Sequence, residues 1–384
     1  MTIRHVDQRN PINRVSPELL ARIVRAQDEF FPTVFANAKA YLSRALSDLG
    51  LKVPVPAALA DKLASEFADQ KGTDLAHQCS QILKAANLPP QAVLHHSRSL
   101  TERLQLLRAF SEPDRVVAQI TEKVVQIVAG FPKRAADIER GRNPGDVLDP
   151  YILSATQTLL FSGSFAAAIS ATVSHKALMM IEGLLGHLHE DVVGQMRGNV
   201  RAPEPRGFDQ EEIDLLENPL PGADILQPPH FAGDTLKLHQ VKSKTGSAKG
   251  GDGKRLGEQL RRLQRYYKAD VFYDALIGNT LRGHRSRRGV EMAAPGAIIL
   301  VGQAAFRALT FSEFGPELLL RLYQVAFAQA ADQTGYRVEE MSAAIVKAFE
   351  DRAQAYDGDF LQVVLRDSIQ GLAEIQDSRL EPRE

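Results

Sequence analysis

Residues 221–244 read PGADILQPPHFAGDTLKLHQVKSK, and this stretch predicts the centre of the fold. It contains two short strand-like runs, and the side chains of the second run alternate as they do on a strand. Residues two apart on a strand face the same side, so Gln240 and Lys242 point together. If the two runs pair as a hairpin, Asp224, which leads the first run, converges on the same point.

A carboxylate, an amide oxygen and an ammonium group at one point suit phosphodiester hydrolysis. That reaction needs a divalent metal on oxygen ligands and a cation near the nucleophile or the scissile phosphate. Asp224 would hold the metal, Gln240 would add a neutral ligand, and Lys242 would orient water or stabilise developing charge. Singly, Asp224 also suits a turn cap and the other two suit the polar face of a half-exposed strand. Only the occurrence of all three residues in this order along the chain indicates a catalytic site.

The sequence Pro221-x-x-Asp224, followed by Gln240-x-Lys242 on an adjoining strand, resembles the core motif of the PD-(D/E)XK nucleases in its Q-x-K variant. With its length and its helical first part, the chain is most similar to type II restriction endonucleases of this superfamily. The resemblance covers about residues 150–310. It implies a mixed α/β nuclease core.

Many of these enzymes carry a glutamate on the helix before the first core strand. Residues 174–193, SHKALMMIEGLLGHLHEDVV, are similar to that helix, with Glu182 as the first candidate and Glu190 as the second. A structural ion pair of Glu182 with His175 or Arg197 is the alternative, because an unpaired carboxylate is costly to bury.

The same segment contains His187 and His189, which resemble metal ligands at first sight. Residues two apart on a helix point away from each other, so a surface position is the better interpretation for both.

The resemblance implies a sequence-specific endonuclease that cuts double-stranded DNA. Asp224 and Glu182, with help from Gln240, would hold Mg²⁺, and Lys242 would stabilise charge at the phosphate. The ends would carry 5′-phosphate and 3′-hydroxyl groups. Cutting both strands of a palindromic site implies a two-fold homodimer, and a restriction enzyme implies a cognate DNA methyltransferase. A repair or modified-DNA nuclease on the same core and a non-catalytic DNA-binding protein are the alternatives.

A second register of the motif is possible. Lys244 faces the same side as Lys242 if the strand continues, and Glu258 lies fourteen residues after Lys244 on the next predicted helix. Some restriction enzymes, notably a group that cuts around CCGG, place the missing acidic residue on that helix. Glu258 would then supply the carboxylate that Gln240 does not. We take Gln240 and Lys242 as the main register.

The local charge indicates a nucleic-acid partner. Residues 237–288 contain fourteen Lys and Arg and only four Asp and Glu, in a chain of net charge −1. Such a concentration beside the proposed site is typical of phosphate contacts. The predicted DNA-binding residues are Lys244, Lys249, Lys254, Arg255, Arg262, Arg285, Arg287 and Arg288.

Outward from this centre, the chain divides into two predicted domains. Residues 1–145 show helical periodicity throughout, beginning with the capping signal Ser16-Pro17, and would clamp DNA or dimerise. Residues 146–384 would form the α/β catalytic domain with C-terminal helices. Residues 198–221 are expected to be a loop, as is the arginine-rich segment 283–289. The predicted strands cover residues 223–226, 235–244, 270–277 and 297–301.

Composition limits the alternatives. The 384 residues are 44% hydrophobic and 24% charged, as in a globular protein. The one cysteine, Cys79, excludes a disulfide framework and a cysteine-based metal cluster. We expect it to be a buried apolar residue. A single thiol and the lack of a signal-like start or a clean apolar span predict a cytoplasmic location.

Overall fold

The computed structural model describes residues 2–55, 57, 58, 60, 72–131, 133, 149–205, 212–244, 252–278, 285–335 and 337–369. Its contacts divide the chain into two compact units. The first comprises residues 1–120 and 186–325, and the second comprises residues 121–185 and 326–384. The boundary predicted near residue 145 lies outside the described residues, so that division stays a prediction.

The first unit begins with a 3-10 helix, Pro11–Arg14, and helix α1, Pro17–Asp28. The predicted start of α1 is confirmed, because the Ser16 hydroxyl accepts a hydrogen bond from the Leu19 N–H at 3.3 Å. Leu19 and its neighbour one turn on, Ile23, are buried in the core that includes the sheet. The first thirty residues therefore pack with the strands of the second half of the chain.

The helical periodicity of the following residues is confirmed. Through residue 131, the described residues form helices and turns and no strand. A core of aliphatic and aromatic side chains joins the first four of these helices around Cys79, which is buried as predicted. The helices are α2 (Phe31–Val34), α3 (Ala38–Asp48), α4 (Gly72–Ala85), α5 (Pro90–Ala109) and α6 (Pro113–Ala129).

One five-stranded mixed sheet forms the centre of the first unit, with its strands in the order β1-β2-β3-β4-β5. The strands β1 to β3 pair antiparallel, whereas β3 to β5 pair parallel. The mixed α/β class is thereby confirmed. The strands are β1 (Val200–Arg201), β2 (Ile225–Gln227), β3 (Lys237–Lys244), β4 (Asp270–Ile277) and β5 (Ile298–Val301).

The four predicted strands are confirmed to within two residues at each end. Strand β1 is a correction, because it lies within residues 198–221, which the sequence predicts to be a loop. Its two residues pair with Leu226 and Ile225 of β2. A pairing this short has no periodic signal of its own, so only the contact with β2 reveals it.

Parallel strands need crossover connections, and two helices provide them. Helix α9, Asp252–Tyr267, connects β3 to β4, and helix α10, Arg285–Ala293, connects β4 to β5. Residues 285–289, predicted as loop, therefore begin a helix, because Val290 is buried in the core with α9. The first unit continues with α11, Gln303–Thr310, and the start of α12, Gly315–Thr334.

The second unit has its own core. Phe165 stacks on Phe360 with ring centroids 4.3 Å apart, and Phe349 packs edge-on against the same ring of Phe165 at 6.2 Å. These rings belong to a buried cluster with Leu153 and Val363. The helices that contribute to this unit are α7 (Pro150–Leu160), most of α8 (Phe165–Gly194), α13 (Val338–Ala353) and α14 (Phe360–Ile369).

Within the described ranges, no single helix has both the length and the apolar composition needed to cross a bilayer. The helices α7 and α8 meet that requirement only when they are taken together, and the break between them is bent by 116°.

Candidate active site

Asp224 lies immediately before β2, and the turn that precedes it sets its position. Gly222 has a φ of +79°, and a Cβ there would lie 2.6 Å from Gln259 Oε1 of α9, so only glycine fits. The Asp224 N–H donates to the His239 carbonyl of β3 at 2.7 Å, and the Asp224 carbonyl accepts from the Ala202 N–H at 2.8 Å. The backbone of Asp224 is therefore held from both sides.

Gln240 and Lys242 lie on β3 beside Asp224, as the predicted hairpin requires. Asp224 Oδ2 accepts hydrogen bonds from Gln240 Nε2 at 2.5 Å and from the Val241 N–H at 2.7 Å. Gln240 is buried and Lys242 is half-buried. The positive charge of Lys242 acts on Asp224 and on Glu190. The fold thus brings Asp224, Gln240 and Lys242 together.

Arg201 of β1 joins a helical glutamate to this group. Its Nη2 forms an ion pair with Glu190 Oε2 at 2.5 Å, and its Nε lies 3.4 Å from Asp191 Oδ1. Its Nη1 donates to the Asp224 carbonyl at 3.0 Å and lies 3.8 Å from Asp224 Oδ1. One guanidinium therefore contacts three acidic residues. Sequence reasoning missed Arg201, because a single arginine in a proline-rich segment has no local signal.

Glu182, the first candidate for the helical carboxylate, lies elsewhere on α8. It is exposed, and it precedes Glu190 by eight residues, which is about 12 Å along a helix axis. Its suggested partner Arg197 donates instead to the carbonyls of Leu107 and Glu29. The contacts around Asp224 favour Glu190 as the helical carboxylate, and a metal role of Glu182 stays a prediction.

The electrostatics of the two carboxylates are unusual. Burial, and after it the negative charge of Asp224, raise the pKa of Glu190 to about 8, against the opposing charges of Arg201 and Lys242. Burial also raises the pKa of Asp224. The charge of Lys242, the Val241 N–H, Arg201 and, last, His187 act in the opposite direction. A half-buried pair of acids with raised pKa values beside a lysine is typical of functional sites.

A divalent cation at this site would require several oxygen ligands. Among the described residues, no three His, Cys, Asp or Glu side chains cluster in a way that would hold a metal ion. Asp224 and Glu190 supply two carboxylates, whose mutual repulsion a cation between them would relieve. Gln240 donates from its amide nitrogen to Asp224, so only its amide oxygen would be available as a third protein ligand. Hard oxygen ligands of this kind fit Mg²⁺, which keeps several waters.

The remaining histidines and Glu258 have other positions. His187 is exposed, whereas His189 is partly buried and bonds through Nδ1 to the Tyr323 hydroxyl at 2.9 Å. The surface interpretation therefore fits His187 and is wrong for His189, which packs on Tyr323. Glu258 lies 3.9 Å from Lys254, one turn before it on α9, and its role as a helper stays a prediction.

Three of the predicted DNA-binding residues, Lys254, Arg255 and Arg262, lie on α9. Its buried stripe carries Leu256, Leu260 and Leu263, and its basic side chains lie exposed on the opposite face. These exposed residues are Lys254, Arg255, Arg261, Arg262 and Arg265.

Of the other predicted DNA-binding residues, Arg285, Arg287 and Arg288 lie on α10, and Lys244 is the last residue of β3. Arg287 forms an ion pair with Glu291, one turn on, at 2.6 Å, and Arg288 is exposed. Lys249 lies outside the described residues, as do the side chains of Lys244 and Arg285. The second register of the motif, which uses Lys244, is therefore untested.

No protein-family model matches the chain, and no curated protein matches it closely enough to count as a relative.

Proposed function

We propose that the protein is a Mg²⁺-dependent, sequence-specific endonuclease that cuts double-stranded DNA, of the type II restriction class. One observation carries the proposal: Asp224 accepts a hydrogen bond from Gln240 and interacts electrostatically with Lys242 and Glu190, and all three of these charged residues are half-buried. The order along the chain also supports a PD-(D/E)XK core. A helix with an acidic residue precedes the Asp224 strand, and the Gln-x-Lys strand, a basic helix and two parallel strands follow.

In this proposal Asp224, Glu190 and the amide oxygen of Gln240 would hold Mg²⁺, which would supply Lewis-acid stabilisation at the phosphate. Lys242 stabilises the charge that develops on the phosphate oxygens. Gln240 and the Val241 N–H orient the Asp224 carboxylate, and Arg201 orients Glu190. The basic face of α9 attracts the polyanionic strand.

The cleavage products carry 5′-phosphate ends, and the enzyme acts as a homodimer whose two-fold axis matches that of a palindromic site. We further propose a cytoplasmic location and a cognate DNA methyltransferase that protects the same sequence.

A non-catalytic DNA-binding protein is the second candidate, and a specific observation favours it. Asp224 Oδ2 already accepts two hydrogen bonds, and Glu190 Oε2 already pairs with Arg201. Both carboxylates are thus satisfied by protein donors, as a structural network would be.

The test is digestion of sequenced plasmid DNA by the purified protein with Mg²⁺, followed by mapping of the ends. We expect cuts at one short sequence. We expect Lys242→Ala to lower the cleavage rate by roughly 10²-fold or more while DNA affinity changes little, since Lys242 acts on the charge that develops during reaction. Lys39→Ala, on the exposed face of α3, is the control. Intact plasmid with the wild-type protein, despite tight binding, would establish the second candidate instead.

A further inference from the structure

A small polar pocket lies beside the candidate active site in the first unit. It has a volume of about 220 Å³ and is lined by α1, by the start of α6 and by residues 194–200, which follow α8. This is below the roughly 300 Å³ at which pockets for drug-sized ligands begin, so the pocket suits a single small group.

Arginines dominate the lining. Arg115 Nε pairs with Glu112 at 2.6 Å, and Arg197 donates to the Leu107 and Glu29 carbonyls. The carboxylate of Glu29 accepts from the Ser111 hydroxyl. The lining thus has four arginines and only two glutamates, and two of the arginines lie together on α1.

Those two are Arg22 and Arg25, which lie three residues apart on one face of α1. Neither guanidinium forms an ion pair with any residue in the part of the chain that the structure describes. The Nη2 of Arg22 donates to the backbone carbonyl of Arg201 at 2.7 Å. Burial and the charge of Arg201 lower the pKa of Arg22, as is expected of a cation without an anionic neighbour.

The pocket adjoins the active-site residues directly. The backbone of Gly194, in the pocket wall, packs on Arg201 so closely that a Cβ at Gly194 would lie 2.5 Å from the Arg201 Cβ. Arg201 is the residue that joins Glu190 to Asp224. An anion held by Arg22 would therefore be close to the bond that the site cleaves.

We propose that this pocket binds a backbone phosphate of the DNA strand near the scissile phosphodiester, with Arg22 and Arg25 as its ligands. The proposal rests on the proposed nuclease function. It adds α1, at the start of the chain, to the DNA-contacting surface. Guanidinium groups bind phosphate oxygens in a fork geometry, which suits a site that sets the register of a strand.

The experiment uses the full chain with a duplex that carries the sequence cut by the wild-type protein, in Ca²⁺ to allow binding without cleavage. The variant is Arg22→Gln/Arg25→Gln, and the control is Arg9→Gln/Arg98→Gln, two exposed arginines outside the pocket. We expect the variant to lose affinity by about tenfold or more, as for a lost charged hydrogen bond. The slope of log affinity against log salt should weaken by about 1, the value for one phosphate contact.

A scan of the same duplex with single methylphosphonates locates the phosphate. A methylphosphonate at one backbone position should lower the affinity of the wild-type protein and of the control. The same substitution should leave the affinity of the pocket variant unchanged. An unchanged salt slope in the variant would overturn the pocket assignment, even if the variant were thermally less stable, because that pattern shows a packing role only. A wild-type protein that neither binds nor cuts any duplex would overturn the nuclease proposal and the pocket with it.

Discussion

At the scale of single residues, Asp224 illustrates how the surroundings give a side chain its chemistry. An aspartate after Pro-Gly-Ala is ordinarily a turn residue. Here its carboxylate is half-buried, accepts hydrogen bonds from Gln240 and the Val241 N–H, and lies beside the charges of Lys242 and Arg201. The two glutamates of α8 differ in the same way, since only Glu190 reaches this group through Arg201.

The choice between the two glutamates has a direct test. We expect Glu190→Gln to lower Mg²⁺-dependent cleavage by roughly 10²-fold, because it removes one of two carboxylates near the phosphate. Glu182→Gln, an exposed change on the same helix, should leave the rate within about twofold of wild type, as for a surface substitution. The measurement is the single-turnover cleavage rate. The reverse pattern would restore Glu182 as the metal ligand.

His230 gives a residue-scale expectation for stability. Its ring stacks on Phe30 with centroids 3.9 Å apart, and burial lowers the pKa of His230 to about 4. The unfolded chain takes up a proton near pH 6.5, whereas the folded protein does not until about pH 4. Stability should therefore fall as the pH is lowered through this window, by roughly 1 kcal/mol per pH unit from this residue.

Urea unfolding at several pH values measures the effect. His230→Leu should make the loss of stability between pH 6.5 and 4 less steep, whereas His95→Leu, an exposed change on α5, should leave the slope as in wild type. Parallel slopes for His230→Leu and wild type would show that His230 is not kept neutral by folding.

At the scale of elements, the pair α9 and α10 is held in close contact by glycines. A Cβ at Gly257 would lie 2.8 Å from the Ala293 Cβ and 3.0 Å from the Val290 backbone, and one at Gly289 would lie 2.8 Å from the Lys254 nitrogen. This approach places α10, with Arg287 and Arg288, beside the basic face of α9. The loop prediction for residues 285–289 failed because the pairing is a tertiary contact.

Alanine at two helical glycines should have opposite effects. Gly257→Ala is expected to destabilise the protein by about 1–3 kcal/mol through overpacking against α10. Gly186→Ala on α8, where a Cβ meets nothing within 4 Å, should stabilise it by up to about 1 kcal/mol through helix propensity. Denaturant midpoints of the two variants measure both signs. An equal increase of the denaturant midpoint in both variants would show that the packing of α9 on α10 does not require glycine at position 257.

At the scale of the whole molecule, each of the two units has a hydrophobic core of its own. The first unit contains the sheet core and the helical core around Cys79, and the second contains the cluster around Phe165 and Phe349. The candidate site, the basic helix α9 and the arginine pocket all belong to the first unit. We therefore expect DNA binding and thermal unfolding of the second unit to be separable.

Calorimetry of core variants tests this division. Phe349→Ala should lower only the transition of the second unit, and Phe110→Ala, fully buried in the first, should lower the other. Each loss should be about 3–5 kcal/mol, as for other buried Phe to Ala changes. Salt-dependent DNA binding should survive the first change. A single transition that shifts equally in both variants would show that the two units unfold together.

Local patterns of the sequence were sufficient for much of the fold. The strands β2 to β5, the helical first third and the basic face of α9 follow from hydrophobic periods of two and 3.6 residues. Such periods depend only on residues that are close together in the sequence. For the same reason the common face of Gln240 and Lys242 was predictable, and the hairpin brought Asp224 to it.

Only the tertiary structure decided the rest of the site. Glu190 and Asp224 are thirty-four residues apart in the sequence. Arg201, which contacts both, lies on a two-residue strand that pairs with β2. Arg22 of α1, which contacts that arginine, is 179 residues away from it in the sequence. Such contacts depend on how whole elements pack, and packing energy is shared among many side chains. A local pattern specifies which way a residue faces on its own element, whereas the packing of elements specifies what it faces.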